Sequence, residues 1–209
     1  MPRKPKQERS KATYDAIVEA GFICIAERGT SGTTTRHIAD AAGIGVGSLY
    51  EYFANKEEIF QRMNERFVLD VAAMLRPLVP ELGRMSITDA IKLMLASLEA
   101  FLNENDRRYL KCAQEALHVE LNNLGPVRQV LSEIAMQHVL NHPEVMRIRR
   151  IPVMLYVFIN GGIFAIVQHL SNPHPPITFD ELSEGLAAMI GHYVERELQL
   201  TASAAGKDP

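Results

Sequence analysis

The sequence predicts an all-α fold in which a small N-terminal group of helices precedes a larger helical body. Apolar residues recur at helical spacing along the 209-residue chain, and no stretch shows convincing alternation of apolar and polar residues. Glycine and proline residues divide this pattern into successive helices, because both favour helix ends over helix interiors. With 47% hydrophobic residues, the chain can bury a substantial core.

The first helix is predicted to run from about residue 9 to residue 28, and a short second helix follows it. Thr34 suits the N-cap of this second helix, because its hydroxyl can accept a hydrogen bond from a free amide of the first turn. Ile38 and Ala39 lie on its apolar face, and Gly43 is expected to end it with a positive φ.

The third helix begins after Gly45 and is too short to be stable alone. Leu49 and Phe53 must therefore hold it by packing on neighbouring helices. The small residues Gly47 and Ser48 would let its backbone come close to a ligand as large as DNA. Two short helices around a glycine turn predict a helix-turn-helix, whose second helix enters the major groove of duplex DNA.

A long fourth helix begins at Asn55, which is the predicted N-cap, with Glu58 as its capping-box partner. Its apolar stripe reaches Leu75 before Pro77 interrupts the helical pattern. A helix of about 20 residues can join two bodies as one rod. We therefore expect the domain boundary to lie inside this helix.

Further helices are predicted behind the fourth. Ser86 and Asp106 suit the N-caps of the next two, and Pro126 suits the first turn of the one after them. The predicted helices cover about residues 86–103, 106–117, 125–141, 152–170 and 180–200.

Charge and hydropathy narrow the class of protein. The formal net charge of −3 argues against a general nucleic-acid coat protein, but it is compatible with a regulator that has a local basic patch. The first eleven residues supply such a patch, either as an arm that contacts phosphate or as a solvated N-terminus. Its basic residues are Arg3, Lys4, Lys6, Arg9 and Lys11.

We expect a cytoplasmic protein without a membrane partner. No apolar segment of the kind found in signal peptides follows the basic start. The longest apolar run, residues 151–166, is interrupted by Pro152, Asn160 and two glycines. We expect it to fall short of a spanning helix, which needs about 20 apolar residues.

Several stretches between about residues 10 and 62 together follow one known pattern, which is more specific than a lone helix-turn-helix. These stretches are residues 20–29, 33–39, 41–44, 49–53 and 55–60. They resemble the DNA-binding domain of the TetR family of bacterial transcriptional regulators. Gly21, His37 and Gly45 depart from the family's habits without breaking the fold. Beyond residue 62 only the order of helices is similar.

The resemblance implies a three-helix helix-turn-helix domain that the long fourth helix joins to a larger helical ligand-binding and dimerisation domain. We assign residues 1–60 to the DNA-binding domain with its basic arm. Residues 61–209 are assigned to the effector-binding and dimerisation domain. We predict that the chain is not an enzyme.

The resemblance also implies which residues contact DNA. Arg36 can reach a phosphate or a guanine edge, Val46 a thymine methyl group, and Ser48 a polar base edge. The tyrosines and the lysine are expected on the phosphate backbone, which positions the protein without specifying sequence. The predicted DNA-binding residues are Thr35, Arg36, Val46, Gly47, Ser48, Tyr50, Tyr52 and Lys56.

In the larger domain, the last two helices are the expected homodimer interface. Gly161 and Gly162 would allow another helix to come close, although the same apolar faces could instead form an intramolecular core. Methionines and scattered polar groups on apolar helices could line an effector pocket, and for each one a surface or core role remains the alternative. The effector-site candidates are Met94, Tyr109, His118, Met136, Tyr156 and Asn160.

No metal or other cofactor is predicted. His138 and His142 are four residues apart and could share a metal ion on one helical face. No third ligand is evident, and Pro143 ends the helix at this point.

The function that follows is a ligand-responsive transcriptional repressor. It would bind a palindromic, double-stranded operator as a homodimer and be released by a small apolar or amphipathic effector. One alternative is a regulator that needs no effector or that needs a corepressor. Another is a helical small-molecule-binding protein or enzyme, but no nucleophile, base and orienting group are visible together.

Overall fold

The computed structural model describes residues 8–115 and 124–205, and within them the chain is all-α, as predicted. Short 3₁₀ turns cover Arg76–Leu78 and Pro143–Arg147. The α-helices are α1 (Glu8–Gly32), α2 (Thr35–Ala41), α3 (Val46–Tyr52), α4 (Lys56–Leu75), α5 (Val79–Leu82), α6 (Ile87–Glu115), α7 (Gly125–Asn141), α8 (Ile151–Leu170) and α9 (Phe179–Ala205).

The described residues pack into two compact units. The first consists of residues 8–69 and 102–115, and the second of residues 70–101 and 124–205. Helices α4 and α6 therefore each contribute to both units. The assignment of residues 1–60 to DNA binding is functional and stays a prediction.

Helix α1 is the centre of the first unit. Its helical conformation is interrupted at Gly29, with φ 69°, directly after the residue at which the sequence predicts its end. Ile17 and Phe22 are at most 1% exposed, and they form one core with the buried faces of α2, α3 and α4. Gly21 belongs to this core because a Cβ there would lie 2.6 Å from the Sδ atom of Met63. The departure from the family pattern at Gly21 thus makes room for α4.

The C-terminal part of α6 completes the first unit. Tyr109 meets the ring of Phe22 edge-to-face, with centroids 5.0 Å apart, and Arg108 forms an ion pair with Glu19. The sequence prediction of a break before Asp106 is wrong, because α6 continues from Ile87 to Glu115.

The polar run that suggested this break begins with Asn103 and Glu104, which are exposed. It is a solvated turn of a continuing helix rather than a cap. Arg107, next to the predicted cap Asp106, has a left-handed backbone conformation with φ 60°.

The second unit is organised around the Pro143–Arg147 turn. Val145 and Ile148 form a buried cluster with Met154 of α8 and Val194 of α9, so the turn holds the last two helices together. Helix α7 has the bounds that the sequence predicts.

Helix α8 is the longest apolar segment. Among the described residues it alone is long and apolar enough to span a membrane, with 20 residues and a mean hydropathy of 1.8. This corrects the expectation that its interruptions leave it too short. Pro152 lies in the first turn, where proline is tolerated, and Gly161 and Gly162 stay helical. The criterion uses length and composition only, and core helices of soluble proteins also meet it.

The start of α9 yields a prediction about pH. The Thr178 amide donates to Glu181 Oε2 (2.7 Å), and the Glu181 amide donates to Thr178 Oγ1 (3.2 Å). The hydrogen bonds from the Thr178 amide and hydroxyl lower the pKa of Glu181 below its usual value of 4.5. Because the folded-state pKa is depressed, the ionised carboxylate stabilises the protein above pH 4.5, and this contribution is lost as the pH falls through the lowered pKa.

Glu181→Gln should therefore unfold more easily in urea than the wild type at neutral pH, and the difference should disappear in acid. Glu184→Gln, at another exposed glutamate of α9, is the matched control. A Glu181 effect that stays constant down to about pH 3 would contradict the role of this carboxylate.

Candidate nucleic-acid interface

The turn between α2 and α3 is fixed by backbone and capping hydrogen bonds. Thr34 Oγ1 accepts a hydrogen bond from the His37 amide at 3.2 Å, as its predicted N-cap role requires. Gly43 has φ 69°, the left-handed conformation that favours glycine. The Ile44 amide donates to the Ala39 carbonyl at 3.0 Å, which directs the chain towards α3.

Helix α3 is held by its buried side. Leu49 and Phe53 are both 0% exposed, and the Phe53 ring stacks on Tyr14 with centroids 4.8 Å apart. Because the buried side is fixed, the outer side of α3 presents a defined surface to solvent.

The predicted DNA-binding residues lie on three helices: two on α2, five on α3, and Lys56 at the start of α4. Arg36, Gly47, Ser48 and Tyr50 are exposed. The other four predicted contact residues, Thr35, Val46, Tyr52 and Lys56, are partly buried. We refer to these eight residues as the α2–α3 face.

One hydrogen bond joins the two helices across this face. The hydroxyl groups of Thr35 and Tyr50 lie 3.1 Å apart, and either can be the donor. Each hydroxyl therefore orients the other, and the phenol of Tyr50, whose residue is 51% exposed, is held in place on α2. Spacing in the sequence does not reveal this pair, because the two residues are 15 positions apart.

Lys56 is bound more tightly than the sequence suggests. Its ammonium group donates to the carbonyl oxygens of Thr30 and Thr33, both at 3.2 Å, and lies 5.4 Å from the centre of the Phe60 ring. Two of its three N–H groups are thus used inside the protein. The predicted phosphate contact would have only the third.

His37 also binds the end of α1. Its Nδ1 atom lies 3.2 Å from the Gly32 carbonyl oxygen, so the ring donates from Nδ1 to this carbonyl. The last carbonyls of a helix have no partner within the helix. His37 and Lys56 both satisfy carbonyls at this end, and together they tie α1 to α2 and α4.

The start of α4 departs from the predicted capping box in one bond. Asn55 Oδ1 accepts from the Glu58 amide at 2.8 Å, which confirms the N-cap. The Glu58 carboxylate accepts from the amide of Ala54 at 2.8 Å, and not from Asn55 as expected. The carboxylate reaches one residue further back, because the chain enters the helix through a bend at Ala54 and Asn55.

The family model described as bacterial regulatory proteins of the tetR family matches residues 17–63. These residues run from the middle of α1 into α4 and contain the whole α2–α3 face. In this part the chain is similar to TetR-family regulators.

The similarity in sequence to curated relatives covers only part of the chain. The HTH-type transcriptional repressor KstR2 of Mycobacterium tuberculosis (strain ATCC 25618 / H37Rv) is 43% identical over 63 residues, which are 30% of this chain and 32% of KstR2. The matched region thus spans about a third of the length of this curated relative.

Solved TetR-family structures share the fold over most of the chain. A putative TetR-family regulator from Mesorhizobium loti MAFF303099 has a TM-score of 0.64 at 16% identity, covering 90% of this chain and 98% of its own. The regulator FadR from Bacillus subtilis, in complex with stearoyl-CoA, has a TM-score of 0.57 at 16% identity, covering 85% and 97%.

The predicted effector-site residues lie in different environments. Tyr109 is buried in the first unit, and His118 is outside the described residues. Met136 and Tyr156 are 62% and 72% exposed. Asn160 is already hydrogen-bonded, to the Tyr156 carbonyl and to an arginine of α7.

Met94 is partly buried. It lies in the second unit, as do Met136, Tyr156 and Asn160. An effector role for these side chains stays a prediction.

The two bonds of Lys56 lead to a prediction about stability. Lys56→Gln would leave the Thr30 and Thr33 carbonyls without their charged donor, and charged hydrogen bonds of this kind contribute about 1.5–3 kcal/mol each. Since Lys56 is only partly buried, we expect the free energy of unfolding to fall by about 1–2 kcal/mol in total. Lys92→Gln, at an exposed lysine of α6, is the control. Equal unfolding midpoints for both variants in urea would show that the bonds of Lys56 do not stabilise the α1 end.

Proposed function

We propose that this chain is a DNA-binding transcriptional repressor that acts in the cytoplasm. The observation that carries the proposal is the α2–α3 face, where Arg36, Ser48 and Tyr50 are exposed on helices whose other sides are buried. A short helix with small outer residues fits the major groove, and flanking hydroxyl and cationic groups suit phosphates. KstR2, which is 43% identical to this chain over 63 residues, is itself a transcriptional repressor.

Sequence readout would come from few strong contacts. Arg36 offers a bidentate donor for guanine, whereas Val46 and Ser48 discriminate bases weakly. We therefore expect DNA shape and deformability to contribute to operator choice.

The repressor would act as a homodimer through α8 and α9. Helix α8 exposes Val153, Val157 and Phe164, each at least 50% accessible, and α9 exposes Met189 at 56%. Contiguous apolar surface of this kind is typical of protein interfaces. A Cβ at Gly161 or Gly162 would meet no other atom within 4 Å, so a second copy could approach α8 closely. Two-fold symmetry would then match a palindromic operator.

The second unit would bind a small apolar or amphipathic effector that releases the operator. FadR of Bacillus subtilis, which shares the fold, was solved with stearoyl-CoA, a molecule of this amphipathic class. Release follows from linkage if the effector binds better to the conformation that does not bind DNA. A thermal-shift screen with lipidic, aromatic and cationic compounds tests this part. A screen without any stabilising compound would favour the regulator that needs no effector.

Selection of randomised duplex DNA on the purified full-length protein tests the function as a whole. At near-physiological salt and without added ligand, we expect enrichment of a palindrome with half-sites about one helical turn apart. Weak, salt-sensitive binding without an enriched sequence would contradict the effector-released repressor.

Substitutions on the α2–α3 face should weaken binding to the selected duplex without unfolding the protein. Arg36→Ala should cost about 1–3 kcal/mol of binding free energy, because it removes a base or phosphate donor. Tyr50→Phe should cost about 1 kcal/mol, because only a hydroxyl is lost. Fluorescence anisotropy measures the affinities, and Arg84→Ala, at an exposed arginine of the second unit, is the control. Wild-type affinity in both test variants would refute this assignment of the face.

A charged side chain introduced into the proposed interface tests the dimer. Phe164→Arg would place a guanidinium in the apolar interface, so sedimentation should show monomers at concentrations where the wild type is dimeric. Leu140→Arg, at a residue of α7 that is 68% exposed, is the matched control and should remain dimeric. Dimers in both variants would place the interface elsewhere.

A further inference from the structure

Two histidines are stacked at the C-terminal end of α7. The ring centroids of His138 and His142 lie 4.3 Å apart, with 27° between the planes. His138 is 7% exposed, which is unusual for a polar side chain without a charged partner of its own. The pair directly precedes the Pro143–Arg147 turn that carries the core of the second unit.

One nitrogen of each ring has no hydrogen-bond partner among the described residues. These atoms are Nδ1 of His138 and Nε2 of His142, and both are buried from solvent. Leaving a buried polar atom unpaired costs free energy, and such atoms commonly mark a bound water or ion. His138 lies in the last turn of α7 and His142 directly follows the helix, so the pair has the i, i+4 sequence spacing of metal-binding histidines.

The Glu144 carboxylate is close enough to His142 to orient its ring. Its carboxylate Oε1 lies 3.6 Å from His142 Nδ1, within ion-pair distance and close to hydrogen-bonding distance. A carboxylate beside Nδ1 favours the tautomer that carries its proton there, and this leaves the lone pair on Nε2. The same arrangement of carboxylate, histidine and metal orients ligands in known metal sites.

The two unpaired atoms are chemically suited to a transition metal. Imidazole nitrogens are ligands of zinc, copper and nickel.

We propose that His138 and His142 form a binding site for a divalent transition-metal ion of the zinc class, with His138 Nδ1 and His142 Nε2 as ligands and Glu144 beside them. The described residues contain no group of three histidine, cysteine or acidic side chains already arranged around a metal. The rings are stacked, so one of them must turn until the two lone pairs converge. The remaining positions would be filled by water or by the Glu144 carboxylate, which is half exposed and free to rotate.

The sequence prediction of no metal is revised on this point. The sequence shows only two histidines four residues apart and a proline after them. The structure also shows the two unpaired nitrogens and the nearby Glu144 carboxylate. A bound ion would tie the end of α7 to the turn that packs against α8 and α9. It would therefore stabilise the second unit independently of DNA binding.

The test titrates zinc chloride, and separately nickel chloride, into the full-length protein after removal of metal with a chelator. Isothermal titration calorimetry at about pH 7.5 measures stoichiometry and affinity. We expect one ion per chain, together with a higher melting temperature in the presence of the ion.

His142→Ala should abolish this binding, and Glu144→Gln should weaken it by about tenfold, because it removes the group that orients His142. Glu144 is exposed, so its variant tests the site even if His142→Ala does not fold. The control replaces two exposed histidines, as His174→Ala with His192→Ala, and should bind like the wild type. An absence of binding to the wild type would overturn the proposal. So would undiminished binding to both His142→Ala and Glu144→Gln, or loss of binding in the control.

Discussion

The burial of Leu49 and Phe53 is the interaction on which the proposed DNA-binding surface depends. Helix α3 has 7 residues and would not persist in water by itself, so its orientation comes from these two side chains and from the turn at Gly43. A helix anchored along one side can place small residues such as Gly47 and Ser48 outward without loss of order. Positioning within a major groove requires this kind of rigidity, because small side chains add little order of their own.

The polar contacts around α1 extend this rigidity to the neighbouring helices. Side chains of α2 and α4 donate hydrogen bonds to the carbonyls of Thr30, Gly32 and Thr33 around the end of α1. Lys56 therefore has a structural role that competes with its expected role at phosphate. In the second unit, the turn with Val145 and Ile148 serves the same purpose for α8 and α9 by apolar packing.

The sequence predicts correctly those helix ends and turns that local chemistry determines. Thr34, Gly43, Asn55 and the bounds of α7 follow from capping and backbone preferences, and the structure confirms them. The prediction fails where tertiary contacts decide, as in α6, which continues to Glu115 past the left-handed Arg107. The Thr35–Tyr50 bond, the carbonyl ligands of Lys56 and the unpaired nitrogens of the histidine pair join residues whose meeting depends on folded geometry. The predicted effector-site residues do not share one environment: Tyr109 is buried, whereas Met136 and Tyr156 are exposed.

The account rests on the claim that the α2–α3 face contacts duplex DNA. Hydroxyl-radical footprinting of the protein, read by mass spectrometry, tests it directly when free protein is compared with protein saturated by its selected duplex. Tyr50 and Tyr52 should lose reactivity on binding, while Tyr193, which is 43% exposed on α9, should keep it. Unchanged reactivity at Tyr50 and Tyr52, with protection at Tyr193, would contradict the account, because DNA would then bind a different surface of the protein.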